Sequence, residues 1–216
     1  MKTILLFITT IFTLFAEPLL DLPTPVGTIS ISRPEVDEMM LHASSAKAIF
    51  VEAFASTYRE YHQNSQSTES IEKWLRLKNG HTIESWLSQV FDDEYQEYIY
   101  GTKQFIFIRN NDKLIGWFSY SPLSENGEIY LSQCSLEASY RDQKVASTAF
   151  AKAFKDKLVL NLFPGVKEIK LITRKINARA KKLYLSVGFI MDETIDPSIY
   201  GESYDDRYVG FRLSFD

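Results

Sequence analysis

Two hydrophobic rhythms divide the chain. Between residues 35 and 98 apolar side chains recur every three or four positions, and from Phe105 onward short alternating or continuous apolar runs take over. Ahead of both, Thr28-Ile29-Ser30-Ile31-Ser32 alternates and Arg33-Pro34 ends it, which predicts a short first strand. Ile49 with Ala53, and Phe50 with Phe54, predict a helix within 35–61. The polar stretch 62–70 reads as a loop, with Ser67 or Thr68 available to cap a helix carrying Ile71, Trp74 and Leu75. Asn79-Gly80 stops that helix. A third is predicted over 82–98, with Ile83, Trp86, Leu87, Val90 and Phe91 on its apolar side.

The second half reads as strands and helices in alternation. Strands are predicted at 105–108, 114–120 and 128–136, separated by turns at Asn110-Asn111-Asp112 and Ser124-Glu125-Asn126-Gly127. A helix over 145–162 carries Ala149, Phe150, Ala153, Phe154, Leu158 and Leu162, and Pro164-Gly165 ends it. A strand at 169–173, a helix over 178–187 stopped by Gly188, a strand at 189–191 and a last strand at 208–215 complete the order. This order describes an α/β (α+β) domain, a mixed sheet flanked by helices, spanning 28–216.

The N-terminus stands apart. Lys2 precedes a mostly apolar run ending at Ala16, the length of a secretory h-region and too short to span a bilayer. Residues 1–16 are therefore expected to be a signal peptide and the protein exported, although Leu14 is not the small residue a cleavage site prefers. If the segment is not a working signal, the protein is expected in the cytoplasm. Residues 17–27, with Pro18, Pro23 and Pro25, read as an extended lead-in.

Composition narrows the chemistry. A net charge of −4 over 216 residues argues against a general nucleic-acid binder. The single cysteine, Cys134, excludes an intramolecular disulfide and a multi-thiolate metal site. His42, His62 and His81 have no metal-ligand spacing, so no metal is expected.

Two segments carry a resemblance. Between the third strand of the second half and its long helix, 136–146 reads LEASYRDQKVA, and 177–189 reads NARAKKLYLSVGF. The first resembles the acyl-CoA loop of the GNAT N-acetyltransferase superfamily, Q/R-x-x-G-x-G/A, with Arg141 in the first position and Ala146 in the last. Lys144 stands where that pattern has its central glycine. The second is similar to the family's N-x-x-A-x-x-x-Y-x-x-x-G-F helix at every key position: Asn177, Ala180, Tyr184, Gly188 and Phe189. The element order from residue 28 onward is GNAT-like too, which implies a mostly antiparallel central sheet.

The local chemistry agrees with that likeness. A strand that turns into a helix N-terminus presents unpaired N–H groups and a positive dipole end, which suit a pyrophosphate. Arg141 is placed to add a charge-assisted contact. The resemblance implies that Gln143, Lys144, Val145, Ala146 and Ser147 hold the pyrophosphate of acetyl-CoA, that Leu136 pairs with its pantetheine arm, and that Asn177 contacts the same arm. Lys144 is strained by roughly 1 kcal/mol if its φ is positive, and fits if the backbone is helical.

By the same likeness Tyr184 is the general acid for the leaving thiolate, and an acceptor amine attacks the thioester directly in a ternary complex. A backbone N–H near Leu136 would hold the oxyanion. Glu128, Gln133, Ser135 and Glu137 all lie on or beside the relevant strand, and Glu128 stands as the candidate base. Cys134 reads as a small strand hydrophobe rather than a nucleophile. Acidic runs at Asp92-Asp93-Glu94 with Glu97, at Asp192, Glu193 and Asp196, and at Glu202, Asp205 and Asp206 suggest lips that attract a small cationic amine or a protein lysine or N-terminus. Tyr200, Tyr204 and Tyr208 lie beside the last of these. The alternative is an exported GNAT-fold protein that binds CoA, or serves in interactions, without turnover.

Overall fold

A computed structural model describes residues 20–77, 80–151, 163–196 and 207–215. The signal-like segment lies outside them, as do most of the helix expected over 145–162 and the acidic stretch with Tyr200 and Tyr204.

The described chain opens with a hairpin of β1 (Leu20–Thr24) and β2 (Gly27–Ser32). The helices α1 (Val36–Asn64), α2 (Ile71–Trp74) and α3 (Ile83–Ile99) follow. A meander of β3 (Gln104–Asn110), β4 (Lys113–Tyr120) and β5 (Glu128–Leu136) leads through a 3-10 turn to α4 (Val145–Phe150). Then come β6 (Glu168–Arg174), α5 (Ala178–Val187), β7 (Ile190–Asp192) and β8 (Tyr208–Ser214). They form one sheet in the order β1-β2-β3-β4-β5-β6-β8-β7. Every neighbouring pair is antiparallel except β5–β6.

The lead-in differs from expectation. Leu20–Thr24 is a true edge strand paired with β2, and Pro23 is tolerated there because an outermost strand needs no N–H on its open side. The one-turn helix α2 is capped by Ser70, whose Oγ accepts from the Lys73 N–H at 3.3 Å, rather than by Ser67 or Thr68. Thr82 caps α3 as its sequence suggests, in a reciprocal box with Ser85.

Strand alternation puts a separate core on each face of the sheet. Phe105, Phe107 and Trp117 meet Phe50, Leu87 and Phe91 of α1 and α3. Ile106, Ile108 and Phe118 face the other way, toward Val145, Ala149 and Phe150 of α4 and Val187 beyond them. The Trp117 indole donates to the Ala46 carbonyl at 2.9 Å, which fixes α1 on the sheet. Gly116 lets β4 and β5 approach closely: an added Cβ would sit 2.6 Å from the Ser135 carbonyl oxygen.

Candidate active site

The site begins where two strands part. β5 and β6 are paired over Glu128–Tyr130 and Glu168–Lys170 only. Beyond that point β5 stays with β4 through Leu136, while β6 stays with β8 through Arg174. The main chain of β5 past Tyr130 therefore faces a gap rather than a neighbouring strand.

Two cavities open into this gap. The larger, about 700 Å³, is walled by Cys134 and Leu136 of β5, the 141–147 turn, Ala53, Phe54 and Thr57 of α1, and residues of α5 including Ala180 and Leu183. Arg141 and Arg179 line it but are paired with Glu52 and Glu60, while Lys144 and Lys182 stand against one acid, Asp142, so its walls still favour an anionic ligand. The smaller, about 100 Å³, is walled by Phe50, Tyr58, Trp86, Tyr130, Ser132, Gln133, Thr173, Tyr184 and Tyr208, among others. Phe54 and Cys134 line both, so the two cavities meet at the middle of β5.

The turn before α4 departs from ordinary geometry. Asp142 has φ 60° and Lys144 has φ 62°, both left-handed. Lys144 is thus strained, since its Cβ crowds the backbone where glycine would not. The first α4 bond runs from the Thr148 N–H to the Lys144 carbonyl at 2.9 Å, which leaves the N–H groups of Val145, Ala146 and Ser147 without a helical acceptor. The Val145 side chain is fully buried, so only its backbone can face a ligand. Ala146 and Ser147 line the larger cavity. The Gln143 amide donates to the Ser139 carbonyl at 2.5 Å, and Gln143 lines neither cavity.

Three expected contacts are drawn differently. Arg141 lines the larger cavity, yet its Nε donates to the Leu136 carbonyl at 2.8 Å, its Nη1 donates to Ser56 Oγ at 3.1 Å, and its Nη2 pairs with Glu52. Its charge is neutralised by protein. Asn177 caps α5, its Oδ1 accepting from the Ala180 N–H at 3.0 Å and from Tyr61 Oη at 3.3 Å, and it lines neither cavity. Glu128 is not placed to act as a base. It lines neither cavity, and its carboxylate is paired with Lys170 Nζ at 2.6 Å.

Tyr184 lies at the junction. It lines the smaller cavity and packs against Phe189 and Phe211, with ring centroids 5.9 and 5.6 Å away. Burial, reinforced by Cys134 and Tyr58 nearby, pushes its phenol above the ordinary value of 10.0, so it stays an O–H donor at neutral pH. Burial likewise pushes the Cys134 thiol up to about 12, which removes thiolate character.

The acidic lips do not form among the described residues. Asp92 pairs with Lys47 at 2.7 Å, Glu97 with Lys103 at 3.2 Å and Asp192 with Arg212 at 3.3 Å. Glu94 is buried. None of these lines either cavity. Their charges are spent on local cations.

Sequence reasoning also missed a polar chain behind the smaller cavity. Lys103 Nζ donates to Ser132 Oγ at 2.6 Å and pairs with Glu94 at 3.4 Å, while Ser119 Oγ donates to Glu94 at 2.6 Å. The signal was present in α3, where Glu94 falls on the same apolar stripe as Leu87, Phe91 and Tyr98. A carboxylate there must find a partner.

Residues 50–189 match the family model described as the acetyltransferase (GNAT) family. No curated protein matches the chain in sequence. Among solved structures, the fold resembles PaiA N-acetyltransferase from Thermoplasma acidophilum in complex with coenzyme A. That pair is 19% identical with a TM-score of 0.56, covering 87% of this chain and 99% of the other. RimJ of Mycobacterium smegmatis, in complex with CoA-disulfide, is 13% identical with a TM-score of 0.56, covering 90% and 86%. The spermidine N-acetyltransferase of Vibrio cholerae, in complex with CoA and spermine, is 12% identical with a TM-score of 0.52, covering 86% and 95%. The chain belongs to the acetyltransferase (GNAT) family.

Proposed function

We propose that the protein transfers the acetyl group of acetyl-CoA to a primary amine by direct attack within a ternary complex. The meeting of a cationic cavity with a small aromatic one at Cys134 and Phe54, beside a protonated Tyr184, carries this reading. One cavity suits a phosphate-bearing donor, the other an acceptor, and the gap brings them together.

The residues divide the work by position. The N–H groups of Val145, Ala146 and Ser147, with Lys144 and Lys182 on the walls, suit the pyrophosphate. The open edge of β5 up to Leu136 suits the amides of the pantetheine arm, as an added strand would. Tyr184 gives its proton to the departing thiolate, and its burial keeps that proton available over the whole neutral range. Among the described residues no carboxylate or histidine lines the smaller cavity.

Calorimetry with acetyl-CoA, followed by thiol release across an amine panel, tests the reading. Micromolar binding and amine-dependent release of CoA are expected. Absence of binding would overturn it.

A further inference from the structure

Arg141 opens the turn before α4 and ties it to both β5 and α1. Its Nε donates to the carbonyl of Leu136, the last residue of β5, at 2.8 Å. Its Nη1 donates to Ser56 Oγ at 3.1 Å and to Glu52 Oε1 at 3.4 Å, and its Nη2 pairs with Glu52 Oε2. Ser56 gives its own proton to the Ala53 carbonyl at 3.1 Å, which turns a lone pair toward the guanidinium. Glu52 and Ser56 stand at i and i+4 of α1 and so share one face of it.

The residues that follow need such a hold. Asp142 at φ 60° and Lys144 at φ 62° lie between Arg141 and the buried Val145. Left-handed residues in a short turn cost free energy, and strain of this kind persists only where the structure on either side over-determines it. The buried Val145 side chain fixes one end of the turn, and the Arg141 fork fixes the other. α1 is a firm base for that fork, because the Trp117 indole holds it to the sheet through the Ala46 carbonyl. The same stretch of α1 walls the larger cavity with Ala53, Phe54 and Thr57. A lone exposed ion pair contributes little, but a bidentate arginine–carboxylate pair with two further acceptors fixes a geometry as well as a charge.

We infer that Glu52 and Ser56 are positioning residues for acetyl-CoA: acting through Arg141, they hold the turn in the shape that presents the Val145, Ala146 and Ser147 N–H groups to the pyrophosphate. Arg141 itself serves as a brace rather than as a phosphate ligand. This deepens the transferase reading and rests on it. The brace uses a planar fork together with a separate Nε donor, which a lysine does not offer.

Calorimetry with acetyl-CoA on full-chain Glu52→Gln, Ser56→Ala, Arg141→Gln, Arg141→Lys and the Glu52→Gln/Arg141→Gln double variant tests the brace. Glu52→Gln should raise Kd by about 3- to 10-fold and Arg141→Gln by at least as much, with Ser56→Ala between wild type and Glu52→Gln. The double variant should bind within about twofold of Arg141→Gln, because both changes break one link. Arg141→Lys should also lie within about twofold of Arg141→Gln, since charge alone does not rebuild the fork. In thiol-release assays the KM for the amine should stay within about twofold of wild type, a separation that general loosening of the fold does not give. Glu52→Gln binding as tightly as wild type, or more tightly, would mean that Arg141 is freed to reach the phosphates and would overturn the inference. Additive losses in the double variant, full affinity in Arg141→Lys, or a parallel rise in the amine KM would overturn it too, and each leaves the transferase reading standing. The expected binding pattern without any acetyl transfer would support the brace and overturn transfer. Absence of acetyl-CoA binding by the wild-type protein would overturn both.

Discussion

Lys144→Gly makes the turn before α4 measurable. Lys144 has φ 62° and ψ 6°, a conformation that costs an L-residue roughly 1–2 kcal/mol and glycine almost nothing. Glycine also loosens the unfolded chain, which takes back about 0.5–1 kcal/mol. The balance is a stabilisation of about 0.5–1 kcal/mol, or an increase in Tm of roughly 1–4 °C for a domain of this size. Gln143→Gly is the control, because Gln143 is not among the residues with positive φ and glycine there should cost about 0.5–1 kcal/mol. Paired urea and thermal unfolding of the two variants reads both signs. If Lys144→Gly loses as much stability as the control, the strain argument is wrong. Acetyl-CoA affinity adds a second reading: backbone amides survive the substitution, so binding should persist with Kd weakened by about tenfold through loss of the ammonium, and loss of all binding would contradict the role of the amides.

Tyr184→Phe should lower kcat by about 10²-fold or more with acetyl-CoA binding kept, and unchanged turnover would remove Tyr184 from acid catalysis. With the thiol moved from 9.0 to about 12, Cys134 carries about a thousandfold less thiolate at pH 8. Iodoacetamide should therefore label the folded protein far more slowly than the unfolded chain, and comparable rates would contradict the burial. Burial holds the Glu94 carboxyl above its ordinary 4.5, so the native state binds its proton more tightly than the unfolded state. That stabilisation is complete below about pH 4.5 and is lost as pH rises through the elevated native value. Relative to wild type, Glu94→Gln should gain stability over that window by about 1 kcal/mol per pH unit. A pH-independent difference in urea midpoint would refute this.

The elements nearest the proposed chemistry were legible where their signals are local. α5 announces itself through Asn177 as cap, Tyr184 on its inner face and Gly188 at φ 110° as terminator, all within a dozen residues. β1 did not, because Pro23 interrupts the alternation and only pairing with β2 makes the segment a strand. The left-handed state of Lys144 was equally invisible, since either backbone conformation suited the residues around it. Glu128 misled for a geometric reason. It shares a strand with Leu136, but the short β5–β6 ladder brings Lys170 to its carboxylate, and Glu128 lines neither cavity. The acidic runs misled likewise, because Lys47 of α1 and Arg212 of β8 come from distant elements and Lys103 folds back on Glu97 from the turn after α3. The packing of Arg174 was unreadable too, because it lies over Tyr58 of α1, Trp86 of α3 and Tyr208 of β8.

The parting of β5 from β6 has a consequence for how this fold diversifies. A cleft made by separating two strands is walled partly by main chain, and main chain is indifferent to the side chains it bears. Proteins with 12–19% identity to this one nonetheless share its overall fold. Substitution along the walls, even of a glycine by a lysine, leaves such an opening in place as long as the strands diverge at the same register. What defines such a cleft is then a branching point in a sheet rather than a list of amino acids.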